Sequence, residues 1–120
     1  MNRTEVSPLS HESLTEPTFY ILLSLSEPLH GYGIIKNAEN LSSGRVRLGA
    51  GTLYGALDKM MKRKWILKQE QTAESGRRKV YELTSLGREV LENEVVRLRE
   101  LVRHGQQALR AMKEMTDEAS

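Results

Sequence analysis

Ten basic residues fall between Ser43 and Lys79: Arg45, Arg47, Lys59, Lys62, Arg63, Lys64, Lys68, Arg77, Arg78 and Lys79. The same stretch holds three acids, Asp58, Glu70 and Glu74, so it carries +7, while the rest of the chain carries −5 and the whole chain +2. What such a segment can do is electrostatic: it can face a polyanion. The other reading is an ordinary solvated surface whose charges scatter in three dimensions. The arrangements that covalent or metal chemistry needs are not evident. There is no cysteine, which excludes thiol catalysis, disulfides and Cys-ligated zinc. His11, His30 and His104 are far apart and lack metal-ligand spacing; His30 reads as a structural residue at a helix start. No glycine-rich phosphate loop follows a strand, and no carboxylates cluster in a plausible cleft. Glu89, Glu92, Glu94 and Glu100 lie along one long helical stretch and read as solvated or interhelical charge. No enzyme activity, metal or cofactor is expected.

The chain has 120 residues, which suits one domain, since two cores would each fall to a marginal size. Hydrophobic residues are 38% and charged residues 28%, with three prolines, a globular balance. No apolar run approaches the ~18 residues of a membrane span, and no basic start followed by an apolar core marks a signal peptide. Cysteine usage fits a reducing cytoplasm.

Which elements would position the basic residues? Residues 1–14 lack clear periodicity and read as a flexible N-terminal arm. Pro17 suits the first turn of a helix. Phe19, Ile21, Leu22, Leu23 and Leu25 form a dense apolar stretch, so the first helix is buried and ends near Ser26, before Glu27–Pro28. His30-Gly31-Tyr32-Gly33 opens a second helix that runs to about Asn40, with Ile34, Ile35 and Ala38 on its apolar face. Ser42-Ser43-Gly44 signals a loop, and Val46 and Leu48 alternating with Arg45 and Arg47 suggest a short strand. A third helix follows to about Arg63, with Thr52 as a plausible cap. In it Leu53, Leu57 and Met60 keep the i, i+4, i+7 rule, leaving Thr52, Tyr54, Asp58, Lys59 and Lys62 on the other faces. Residues 65–72 and 79–84 read as two strands around a Gly76 loop whose tip carries Arg77 and Arg78.

From Ser85 to Met115 the pattern is helical. Leu91, Val95, Leu98, Val102, Gly105, Leu109 and Met112 recur at alternating spacings of four and three, a heptad seam with one glycine gap. So long a seam needs a partner. A second copy of the chain is the simplest one, and the first helix of the same chain is the alternative.

Three helices, a hairpin and a long helix make the outline of a winged helix-turn-helix. The expected fold is therefore mostly α with a two-stranded β-wing, plus a long C-terminal dimerisation helix. The domain plan is arm 1–14, winged helix-turn-helix 15–84 and dimerisation helix 85–120. In such a fold one helix enters the major groove of double-stranded DNA and the wing lies beside it. Lys59 and Lys62 would then sit on the groove helix, and Arg77, Arg78 and Lys79 on the wing.

The sequence also resembles the PadR-type transcriptional regulators, over about residues 15–100. Tyr20-Ile-Leu-Leu-Ser-Leu-Ser-Glu-Pro-Leu-His-Gly-Tyr32 is similar to the family's first helix and to the opening of its second. Gly51-Thr-Leu-Tyr54 with Ala56-Leu57 resembles the recognition-helix signature. Gly76-Arg-Arg-Lys79 with Tyr81 resembles the wing, and Leu83-Thr84 with Gly87 the entry to the last helix. A single C-terminal helix is similar to the smaller branch of the family. The chain departs at Gly55, where the family often has proline, and at Lys64, where it often has glycine.

The resemblance implies a homodimeric repressor on a palindromic operator, under simple autoregulation or released by a small-molecule effector. A winged-helix module that binds protein, without specific DNA binding, is the alternative. Tyr54 would give its hydroxyl to a phosphate or half-bury against the helix start. Thr52 would cap the helix, touch phosphate, or both, and Gly51 would serve turn geometry and close backbone approach. Arg77 and Arg78 read as phosphate or minor-groove contacts or as a solvated tip. Lys59 and Lys62 stand between contact and solvent. Leu91, Val95, Leu98, Val102, Leu109 and Met112 are the dimerisation candidates. Trp65 reads as core or inter-subunit packing, and secondarily as an effector-pocket residue. Some family members bind flat aromatic compounds with aromatics of the last helix, but residues 85–115 have no Phe, Tyr or Trp.

Overall fold

A computed structural model describes residues 13–73 and 76–119. The expected arm (1–14, with His11) falls almost wholly outside the described residues, as does the hairpin tip, Glu74-Ser75. The elements in chain order are α1 (Glu16–Ser24), β1 (Leu29–His30), α2 (Gly31–Leu41), α3 (Ala50–Lys62), β2 (Ile66–Ala73), β3 (Gly76–Leu83) and α4 (Ser85–Ala119). Residues 13–91 form one compact unit, and residues 92–119 belong to a second.

Helix α1 starts where the sequence supplies both signals. Thr15 is its N-cap and accepts a hydrogen bond from the Thr18 N–H at 3.3 Å, with Pro17 in the first turn. It stops at Ser24, two residues earlier than expected. The Leu25 N–H turns back to the Leu22 carbonyl at 3.1 Å, and the Ser24 hydroxyl donates to Ile21 O at 2.7 Å. Asn37 of α2 donates to Ser24 O at 3.3 Å, tying the two helices together.

The core of the 13–91 unit joins α1, α2, α3 and the base of the wing. Its buried members are Ile21, Leu22, Leu25, Ile34, Leu53, Leu57, Met60, Ile66 and Tyr81. Burying a side chain of this size contributes about 1.5–3 kcal/mol relative to exposure.

The hairpin is longer than expected, and its sheet has a third strand. Antiparallel β2 and β3 pair from Ile66↔Leu83 out to Ala73↔Gly76. Leu29 and His30 form β1, which pairs with Tyr81 and Val80 and gives the order β1-β3-β2. Two residues after Glu27–Pro28 are too few to show an alternation, so this strand is set by its partner and not by its own pattern.

Two expectations are corrected between α2 and α3. Residues 45–48 are loop, not strand. Val46 is buried instead by a turn: its N–H donates to the Ser42 hydroxyl at 2.9 Å. Ser43 and Gly44 take positive φ, and the Gly44 N–H reaches Glu39 O at 2.8 Å, closing the end of α2. Helix α3 begins at Ala50, so Thr52 lies inside it and is not its cap. The cap position is Gly49, with no side-chain cap.

Candidate nucleic-acid interface

Helix α3 buries Leu53, Leu57 and Met60 and exposes Gly51, Thr52, Tyr54, Gly55, Asp58, Lys59 and Lys62. At about 100° per residue, Gly51, Gly55 and Lys62 form the crest of the exposed face. Thr52 and Lys59 flank one side, Tyr54 and Asp58 the other. A Cβ added at Gly51 or Gly55 would meet nothing within 4 Å, so the backbone of the first two turns is bare to solvent.

Tyr54 is half-buried against the start of a helix, but the helix is α2. The residue is 47% exposed, and its ring lies against Gly31, the first residue of α2. A Cβ at Gly31 would overlap the Tyr54 hydroxyl and come within 3.0 Å of Cζ. A side chain at Gly31 would displace the Tyr54 hydroxyl from this contact.

The basic residues of the middle segment divide by environment. Arg45 is committed to a two-pronged pair with Glu16, at 2.7 and 3.0 Å. Arg47 faces Glu39 at 3.9 Å. Arg63 stacks its guanidinium 5.1 Å from the centroid of Trp65. Lys59 and Lys62 remain exposed on α3.

On the wing, Arg77 and Arg78 are ladder residues, not loop residues, because pairing continues to Ala73↔Gly76. Side chains alternate along a strand. Lys79 therefore shares a face with Tyr81 and Leu83, and Arg78 shares the other with Val80 and Glu82. The wing's cations are split across a ribbon. Position 77 is described through its backbone pairing, Thr72↔Arg77, and Lys79 stands opposite Glu70.

Tyr81 joins the wing base to α3. It is buried in the core, and that burial raises its phenol pKa above 10.0, with the charges of Tyr54 and Asp58 adding to the rise. Trp65 is half-buried against the core. Its carbonyl accepts from the Thr84 N–H at 3.0 Å and from the Thr84 hydroxyl at 3.0 Å.

Of the seam residues, Leu91 packs against the core of the 13–91 unit. Val95, Val102, Leu109 and Met112 are large exposed apolar residues and Leu98 is half-buried. Leu101 and Met115 are exposed as well, widening the stripe at two of its turns. The heptad count alone did not single them out. In the second unit Glu94 is buried and accepts from Arg97 at 2.8 and 2.6 Å, and Arg103 pairs with Glu100.

The model of the transcriptional regulator PadR-like family matches residues 21–93, well over half of the chain and all of the elements just described from the middle of α1 into α4. The chain belongs to the PadR-like family. It is similar to a PadR family transcription regulator of Clostridium difficile: 28% identity, TM-score 0.68, covering 79% of this chain and 99% of that one. Bacillus subtilis PadR, whose structure was solved in complex with operator DNA, shares the fold at 22% identity and TM-score 0.60, covering 67% of this chain and 46% of that one. An uncharacterized 37.1 kDa protein in a transposon of Streptomyces fradiae is 41% identical over 75 residues, 62% of this chain. The chain spans one fifth of that protein's length.

This PadR-like chain has a mostly α winged-helix fold, as the order of elements predicted. Among the described residues, no helix is long and apolar enough to cross a membrane. The departure at Lys64 has a clear geometry. Lys64 sits at φ 64°, in the left-handed region. The Trp65 N–H reaches Met60 O at 2.9 Å and the Lys64 N–H reaches Met61 O at 3.0 Å, the pair of bonds that closes a helix where glycine is usual.

Proposed function

We propose that this chain is a sequence-specific regulator of transcription that binds double-stranded DNA as a homodimer and acts as a repressor. The observation that carries the reading is the exposed face of α3. It bares the helix backbone at Gly51 and Gly55, carries Lys62 on the same crest and is edged by Thr52, Tyr54 and Lys59. Such a face can enter a major groove closely where the two glycines stand, with donors on the crest and beside it. Arg77, Arg78 and Lys79 on the wing then lie beside the groove on the phosphates. Family membership and the operator complex of B. subtilis PadR support this reading.

In this reading residues 1–14 are an arm, 15–84 the DNA-binding domain and 85–120 the dimerisation helix. Two copies pair through Leu91, Val95, Leu98, Val102, Leu109 and Met112. Exposed apolar side chains at heptad spacing favour a helical partner. The two α3 helices would read a palindrome with half-sites about 34–36 Å apart. Release by a small-molecule effector rests on the family resemblance; Trp65, the one candidate residue, is engaged with Arg63 and the core.

The test is fluorescence anisotropy with DNA from upstream of the chain's own gene, beside a scrambled duplex, at two salt concentrations. Tight, selective, salt-sensitive binding is expected. Replacing Arg78 and Lys79 by alanine should weaken binding to both duplexes and flatten the salt dependence. Equal, weak binding to every sequence would favour a protein-binding module instead.

A further inference from the structure

Gly51, Gly55, Asp58 and Lys62 recur at i, i+4, i+7 and i+11, which sets them in one row along the exposed face of α3. The two glycines carry nothing that keeps a ligand off the helix backbone. Asp58 is therefore the first side chain that this row presents. It is the one acid of a helix that also carries Lys59 and Lys62.

Folding gives Asp58 little to do. It is exposed, and among the described residues its carboxylate accepts no hydrogen bond and pairs with no cation. Lys62 stands at the spacing of a helical ion pair, yet the two side chains form none. Aspartate is also among the weaker helix formers and is favoured at helix starts, whereas Asp58 lies in the third turn of α3.

An unpaired carboxylate on a face that meets DNA is repelled by every phosphate, so it is favoured only where it meets donors. The donors of the major groove are the amino groups of cytosine and adenine. Adenine sets the N7 acceptor beside its amino group, and guanine and thymine turn acceptors toward the groove. Cytosine alone presents an amino group without a neighbouring acceptor. We infer that Asp58 is a specificity-determining residue, which accepts a hydrogen bond from the N4 amino group of a cytosine and so selects a C·G pair at one position of each half-site. The inference rests on the reading of α3 as the groove helix. The same charge weakens binding to every sequence that lacks this donor, so selection comes from repulsion as well as attraction.

The experiment selects binding sites for the full chain from duplexes randomised over two half-sites. Anisotropy then measures each single-pair change in the selected site. The wild type is expected to require C·G at one position of each half-site, with a loss of about 5- to 150-fold on replacing it. Asp58→Ala should lose the preference at that position alone and bind a scrambled duplex more tightly. Asp58→Asn should move the preference there to A·T, because a carboxamide can bond both N6 and N7 of adenine. Circular dichroism checks that both variants keep their helices. Variants that select the wild-type site with unchanged penalties would overturn this inference alone. So would variants that tighten on every duplex by one factor, since Asp58 would then only repel. A wild-type chain that enriches no sequence would overturn the reading of α3, and this one with it.

Discussion

Gly87, in the first turn of α4, lies directly under the carbonyl of Trp65. A Cβ at Gly87 would overlap that oxygen and stand 2.8 Å from the carbonyl carbon. The same spot is tied by Thr84, whose hydroxyl donates to Lys64 O at 2.6 Å and accepts from the Gly87 N–H at 3.0 Å. The turn after α3, the end of the wing and the start of α4 thus meet at Lys64, Trp65, Thr84 and Gly87.

Gly87→Ala should therefore lower stability by about 3 kcal/mol, the upper range for forcing a methyl into packed structure. Helix propensity alone would favour alanine by about 1 kcal/mol, so the two effects have opposite signs. Urea unfolding decides between them, and a stabilised variant would mean that the carbonyl yields.

Lys64→Gly should have the opposite effect. A lysine at φ 64° bears a left-handed penalty of roughly 1–2 kcal/mol, partly offset because glycine loses more chain entropy on folding. A net gain of about 0.5 to 1 kcal/mol is expected in the same assay, with a native circular dichroism spectrum.

Gly55→Ala separates stability from binding. The site is helical, exposed and open, so alanine should stabilise by about 1 kcal/mol. The added methyl stands on the crest of α3, and DNA affinity should fall as stability rises. A variant both more stable and equally tight on DNA would move the groove contact off this face.

Tyr81 predicts a loss of stability at alkaline pH. Its folded pKa lies above 10.0, so below that value its contribution is complete. As pH rises past it, the unfolded chain ionises first, and stability falls until the folded pKa is passed. Unfolding midpoints followed across this range should drop more steeply for the wild type than for Tyr81→Phe.

The alternation of Val80, Tyr81, Glu82 and Leu83 and the spacing of Leu53, Leu57 and Met60 are local periodicities, which is why the wing and α3 were legible in the sequence. Arg45, Arg47, Val46 and Leu48 also alternate, yet form no strand. Among the described residues no strand pairs with them, and the Val46 N–H donates to the Ser42 hydroxyl instead. Thr52 looked like a cap because its side chain can cap, but Gly49 and the closed end of α2 set where α3 begins.

The sequence by itself determined the kind and order of the main elements, the basic middle and the heptad stripe, because each is a pattern among near neighbours. It also carried the family motifs. Only the tertiary structure decided which charges are available. Arg45 is paired with Glu16, 29 residues away, and Arg63 with the ring of Trp65. Likewise, Gly87 has no room for a side chain because of the Trp65 carbonyl, and a side chain at Gly31 would displace the Tyr54 hydroxyl, each more than twenty positions distant. Close approach between distant segments leaves no periodic trace, so no local pattern could announce it.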